Sequence, residues 1–318
     1  MAKRRGIKEY FLLILKGAGM GAADIVPGVS GGTIAFITEI YEELVNSIKS
    51  INLKSFRKIF SEGITEFWAA INGNFLISVF AGILISVFTL ANLLETLLQD
   101  EPILVESFFF GLIVASAVYV ARKITTWNWQ KIVAILSGII VAYLITSLTP
   151  AQTSEAYWFV FFFLSIAICA MILPGISGAF ILLILGKYQF ILGAVNDLNL
   201  IVLAVFAVGA LVGLISFSNI LSWFLRKFHD ITIAVLSGFM IGSLYKIWPW
   251  KRTVSTFKDS HGEIKPLVEK NIFPGQFECA TGESAQLFAA LVAAAAGILL
   301  ILIVTKITKS KSKSKSQL

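Results

Sequence analysis

The residues of this chain best suited to chemistry are a serine and its glycines set behind a proline, in Pro27-Gly28-Val29-Ser30-Gly31-Gly32-Thr33. A second set, Pro174-Gly175-Ile176-Ser177-Gly178, repeats the order. Laying Pro174 on Pro27 also lays Tyr188 on Tyr41, since 174 − 27 and 188 − 41 are both 147. Each set interrupts an apolar run. Proline withdraws a backbone donor and glycine opens conformations closed to other residues, so a helix must stop and restart there. Hydrocarbon offers no water to the freed N–H and C=O groups. A helix restarting at Ser30 or Ser177 therefore presents unpaired N–H groups, a partial positive charge and a hydroxyl, a combination suited to phosphate or carboxylate. On this reading the phosphate-binding residues are Gly28, Ser30, Gly31, Gly32 and Thr33 with Gly175, Ser177 and Gly178, while Pro27 and Pro174 make the breaks.

Ionisable residues near the breaks add to this set, because a charge at membrane depth costs about 2.5–3.5 kcal/mol even on the mildest scale and is kept for function. Asp24 lies three residues before Pro27, and Glu39 follows the first break. Both are candidates to carry a coupling proton or cation. Lys187, after the second break, is a candidate phosphate partner. Glu42, Glu43 and Lys16 read more simply as interface residues whose long stems reach water. No metal-ligating cluster and no cofactor are expected.

Gly28-Val29-Ser30-Gly31-Gly32 also fits G-x-S-x-G, the turn that presents a hydrolase serine. That chemistry needs a base, and the only histidines are His229, at a helix end, and His261, in a polar loop. The second set is similar to the PG-x-S-R pattern of undecaprenyl-diphosphate phosphatases, with Gly178, and Gly31 in the first set, where the arginine would stand. No catalytic residue is assigned. A membrane phosphatase or intramembrane serine hydrolase is the alternative to a binding site without bond chemistry.

The elements that must hold these residues are apolar. Of 318 residues 57% are hydrophobic and 14% charged, with mean hydropathy +0.84, against about 25% charged in a soluble domain. This implies an all-α polytopic membrane protein. The net charge of +7 lies in short basic segments beside apolar runs, which points to anionic lipid headgroups and excludes a nucleic-acid partner. Cys169 and Cys279 suggest no disulfide framework, and Tyr10–Leu15 is too short an apolar region for a cleavable signal.

Two inverted repeats are expected. The first, 7–150, comprises a Pro-Gly-broken re-entrant hairpin (7–48), an amphipathic insert on the membrane surface (49–72), and helices at 74–98, 102–121 and 131–149. The second, 157–308, comprises a hairpin (157–195), helices at 199–225 and 231–248, an outer polar loop (249–284) and a helix at 285–305, before a cationic tail at 309–318. Beyond the insert an offset of 127 places Gly82 on Gly209, Asn92 on Asn219, Gly111 on Gly238 and Ser116 on Ser243. A hairpin returns to its own side, so each half nets three crossings and the second half is inverted. Lys3, Arg4, Arg5, Lys8, Lys49, Lys54, Arg57, Lys58, Arg122, Lys123, Lys131, Arg226, Lys227 and the tail lysines then share one side with both termini, which the positive-inside rule makes cytoplasmic. Trp127, Trp129, Trp158, Trp248 and Trp250 flank the apolar runs as an interface belt.

DIVPGVSGGT together with LPGISGAFILLILGKY resembles the polyprenyl-phosphate transporter family of the PopT type, over nearly the whole chain. The resemblance implies a flippase that returns undecaprenyl phosphate, or a similar lipid, from the outer to the cytoplasmic leaflet of a bacterial or archaeal cytoplasmic membrane for cell-wall synthesis. Periodicity and spacing by themselves select no lipid. They supply an anion site between inverted halves, as in secondary transporters. A phosphate monoester carries about −1.5 to −2 charges at pH 7, so a coupling proton or cation is expected beside it.

Overall fold

The computed structural model describes residues 5–148, 156–187, 190–191, 193–194, 197–258 and 264–315. Lys3, Arg4, Gln152, Tyr188, His261 and the end of the cationic tail lie outside the described residues.

The chain breaks where Pro-Gly requires it. Helix α1 (Ile7–Ile25) stops before Pro27, and α2 (Gly31–Ile37) restarts after it, followed by α3 (Tyr41–Lys49). The expected second arm, 31–48, is thus two helices, parted at Glu39, whose φ of 59° ends α2. The amphipathic insert forms α4 (Leu53–Ser61), capped by the Asn52 side chain, and α5 (Ile64–Ala70). Leu53, Phe60 and Ile64 stay exposed on them, as surface helices facing lipid would leave them. Then come α6 (Gly73–Asp100), α7 (Pro102–Ala121) and α8 (Trp129–Ser147).

The second half begins with α9 (Tyr157–Ile172) and α10 (Gly178–Ile184), continues with α11 (Leu200–Lys227) and α12 (His229–Ser243), and ends with α14 (Leu287–Lys315). That last helix runs into the segment expected as a solvated tail. Among the described residues five helices are long and apolar enough to cross a membrane: α6, α7, α8, α11 and Leu287–Ile307 of α14. At about 1.5 Å per residue, the 28 residues of α6 exceed the roughly 30 Å of hydrocarbon. α12, expected over 231–248, ends at Ser243 because Leu244 to Ile247 turn the chain.

The described residues of the polar segment 249–284 are built, not irregular. Strands β1 (Lys251–Lys258) and β2 (Ile264–Asn271) pair antiparallel, and a short helix, α13 (Pro274–Thr281), follows. The protein is therefore mostly helical and not wholly so. Trp250 donates to the Ala285 carbonyl (2.9 Å) and Trp248 to that of Ile272 (2.8 Å), so these two indoles fasten the hairpin. Ile103, Trp250, Phe277, Ala285 and Ala290 make a small core beneath it. Trp127, Trp129 and Trp158 are exposed.

Corresponding helices match in length and partner. α6 and α11 each have 28 residues, with bounds 127 residues apart. α1 packs on α6 and α9 on α11, while α7 packs on α14 and α8 on α12, across the two halves of the sequence. At the crossed pairs glycine lets backbones touch: a Cβ on Gly111 would strike the Ala294 carbonyl, and one on Gly238 the Ile135 carbonyl. The main core joins Val29, Ile37 and Tyr41 of the first broken segment to Ile113, Leu236 and Met240 of the long helices.

The two ends of the bundle differ in charge. At one, the hairpin face, the end of α6 and residues of β1 and β2 line one cavity, and Gln286, just before α14, donates to Glu101, just after α6. At the other, the basic face, Lys131 pairs with Asp230 (3.0 Å) and Arg5 with Glu43 (2.5 Å).

Candidate functional site

The two breaks have the same backbone shape. Val26 and Leu173 leave their helices in extended conformation, and Gly28 and Gly175 follow with φ of 90° and 86°, a region that favours glycine. Ser30 and Ser177 are the N-caps of α2 and α10. The Ser30 hydroxyl accepts from Gly32 N–H (3.1 Å). Ser177 makes no such cap bond.

The breaks also touch. Ser30 Oγ lies 3.0 Å from the Leu173 carbonyl and 3.3 Å from that of Met171, to which it donates, and Gly175 N–H donates to Thr33 Oγ1 (3.2 Å). A Cβ on Gly32 would lie 2.5 Å from the Ile172 carbonyl. Thus the first serine and threonine, both fully buried, satisfy backbone groups that the second break frees. Asp24 completes the first break, for its Oδ1 accepts from Gly31 N–H at 2.7 Å. A carboxylate of the protein itself sits at the start of α2. The residue in the corresponding place before α10 is Met171.

The other predicted residues stand apart. Glu39 accepts from the Tyr119 hydroxyl (2.9 Å), with Lys123 3.8 Å away, at the basic face. Lys16 donates to the Thr38 carbonyl (2.6 Å) and so serves the end of α2. Lys187 is buried between the rings of Phe159 and Phe190.

Sequence reasoning missed what lies above the breaks. A cavity of about 1440 Å³ runs from the hairpin face down to Asp24, Pro27, Ala179 and Phe180. Its cations are Lys246, Lys251 and Arg252. Lys246 packs its stem over Gly28, points its ammonium at the Phe180 ring (5.0 Å to the centroid) and pairs with Glu269 (3.0 Å). Lys251 pairs with Glu106. Burial raises the Glu269 carboxyl, but the ammonium charges of Lys251 and Lys246 outweigh it and leave the group below its usual range. Arg252, on the exposed rim, makes no ion pair with a described residue. Asp100, Glu101 and Glu283 share that rim. None of these cations adjoins a break in sequence, and only the turn after α12 brings Lys246 there.

A family profile described as undecaprenyl phosphate translocase-like matches residues 20–265. The chain belongs to this translocase-like family. The matched stretch includes both breaks, Asp24, Lys246, Lys251 and Arg252, and ends before Glu269. Two relatives are named polyprenyl-phosphate transporter. One, from Vibrio cholerae, is 47% identical over 294 residues, covering 92% of this chain and 96% of its own. The other, from Staphylococcus aureus, is 33% identical over 254 residues, covering 74% and 85%. No solved structure matches the chain.

Proposed function

We propose that this protein carries a polyprenyl phosphate, undecaprenyl phosphate or a close analogue, across a bacterial or archaeal cytoplasmic membrane without breaking a bond. The observation that carries the reading is the cavity, which puts Lys246 directly over the first Pro-Gly break and beside Phe180 of the second. A phosphate headgroup entering from the hairpin face competes with Glu269 for Lys246. It is then met by Lys251, Arg252 and the helix starts around Gly28 to Thr33 and Gly175 to Gly178. Lys187 acts from further off. Its prenyl tail stays in lipid.

The halves are inverted repeats with re-entrant hairpins, occupying 7–150 and 157–308. Three contacts favour this: α6 ends beside the hairpin, its counterpart α11 ends beside Asn46 and Lys49, and Glu39 returns to the basic face after the first break. With the basic face cytoplasmic, both termini are cytoplasmic and transport runs from the outer leaflet inward. Asp24 couples a proton or cation to the phosphate, because a neutral Asp24 holds the Gly31 N–H less strongly than the carboxylate does and lets the substrate compete for it. Glu39 is the second carrier, at the cytoplasmic end of the path.

The hydrolase alternative loses ground to geometry. The Ser30 hydroxyl is occupied by Gly32 N–H and the carbonyls of Met171 and Leu173, and His229 lies among Glu42 and Asp230 on the basic face. Both relatives are named as transporters. The test is purified protein in liposomes, followed for movement of a labelled polyprenyl phosphate between leaflets and for phosphate release. Movement with no release is expected, and release without movement would overturn the reading.

A further inference from the structure

On the basic face, α3 and α11 meet along a seam whose polar residues no part of the cavity uses. Lys49 donates to the Ser222 hydroxyl (3.1 Å), which itself donates to Asn46 Oδ1 (2.8 Å), while Arg226 Nε donates to the Ser222 carbonyl (3.2 Å). Two cations thus hang on one residue. Neither makes an ion pair with an acid among the described residues. The nearby acids of α3 are committed elsewhere: Glu42 faces His229 and Glu43 faces Arg5 and Asn72. Burial, and then the charge of Arg226, hold the Lys49 ammonium below the usual lysine range. One helical turn deeper on the Ser222 side of α11, the Ser218 hydroxyl is fully buried with no hydrogen-bond partner. Two like charges that share Ser222, one helical turn from an unsatisfied hydroxyl, describe a place suited to an anion.

The repeat gives this seam a counterpart. An offset of 127 sets Ser222 on Glu95, Leu225 on Leu98, Arg226 on Gln99 and Lys227 on Asp100, and Glu95, Leu98, Gln99 and Asp100 wall the cavity at the hairpin face. The same helix surface is acidic at the entry and basic here.

We propose that the seam between α3 and α11 is a second anion site, in which Lys49 and Arg226 hold a phosphate monoester headgroup on the basic face. It rests on the carrier reading and adds to it a place where the headgroup is received after crossing. Lipid phosphate and free phosphate share the recognising chemistry, so both enter the test.

The full chain in nanodiscs free of anionic lipid is titrated with dodecyl phosphate and, separately, with inorganic phosphate. Two bound equivalents of dodecyl phosphate are expected. Lys49→Gln and Arg226→Gln should each weaken one equivalent by tenfold or more and leave the other, whereas Lys246→Gln should weaken the other. Lys49→Glu gives Arg226 an acid of its own, so it should lose the site while the ligand-free protein melts no lower than wild type. Melting temperature should rise with dodecyl phosphate by a smaller amount in that variant. Inorganic phosphate displacing dodecyl phosphate from the seam at equal concentration would keep the anion site and overturn the lipid as its occupant. Two undiminished equivalents in both Gln variants would overturn the site even if transport is intact. A protein that binds two equivalents but moves no lipid in liposomes would keep the site and overturn the carrier.

Discussion

Pro27 and Pro174 occupy the same place in two breaks of the same backbone shape, yet Pro27 is exposed in the cavity and Pro174 is buried. Ala179, which lines the cavity, is exposed, and its counterpart Gly32 is buried against the Ile172 carbonyl. The start of α2 carries Asp24, and that of α10 carries Met171. Two copies of one motif therefore differ in what surrounds them and not in how the chain runs. The molecule is open, through the cavity, on the hairpin side of this pair of breaks. On the carrier reading proposed above, exchanging the surroundings of the two breaks would close the hairpin face and open the basic face, as alternating access in an inverted-repeat carrier requires.

The largest expected effect breaks the comparison at its tightest point. Gly32→Ala drives a methyl group into the Ile172 carbonyl where both breaks are buried, at a cost at or beyond the upper end of about 1–3 kcal/mol. Yield and melting temperature of the purified variant should fall sharply. Ala179→Gly, the reverse change at the counterpart, faces open cavity and should leave both nearly unchanged. Equal tolerance at the two positions would mean that the first break is not packed as described.

Asp24→Asn keeps an acceptor for Gly31 N–H and removes the titratable charge. The variant should fold and bind lipid phosphate, while the dependence of its transport on pH or cation gradient flattens. Transport with an unchanged dependence would shift the coupling role to Glu39.

The serines should separate by a smaller margin. Ser30→Ala removes a hydroxyl that bonds Gly32 and the carbonyls freed by the second break, so it should lower stability by about 1–3 kcal/mol, read as a shifted melting temperature. Ser177→Ala lacks that cap bond and should be milder in stability while weakening lipid-phosphate binding. The opposite ranking would exchange the structural and ligand-facing serines.

Much of this is legible in the sequence. Proline and glycine mark the breaks because they act on the backbone locally, and the long helices follow from unbroken apolar runs, so α6 and α7 fall close to their expected bounds. The paired strands β1 and β2 are not legible in the sequence, since β2 contains Pro266, a residue that argues against a strand except at an edge. The cations of the site were hidden for another reason. Lys246 reaches Gly28 only through the packing of α12, and Lys251 meets Glu106 across 145 residues of chain. Asp24 was visible as an acid near the break, but that it would occupy the very N–H group offered to a ligand is a fact of geometry.

The exchange of the two breaks is tested most directly by thiol labelling at matched positions, Ile25→Cys, which lines the cavity, and Ile172→Cys, which is buried, with both native cysteines replaced by serine. In sealed vesicles an impermeant reagent on the hairpin face should label the cysteine at 25 at least tenfold faster than that at 172. Adding lipid phosphate should slow labelling at 25 and allow labelling at 172 from the basic face alone. A cysteine at 172 that reacts from the hairpin face, or rates at both positions indifferent to lipid phosphate, would contradict the account.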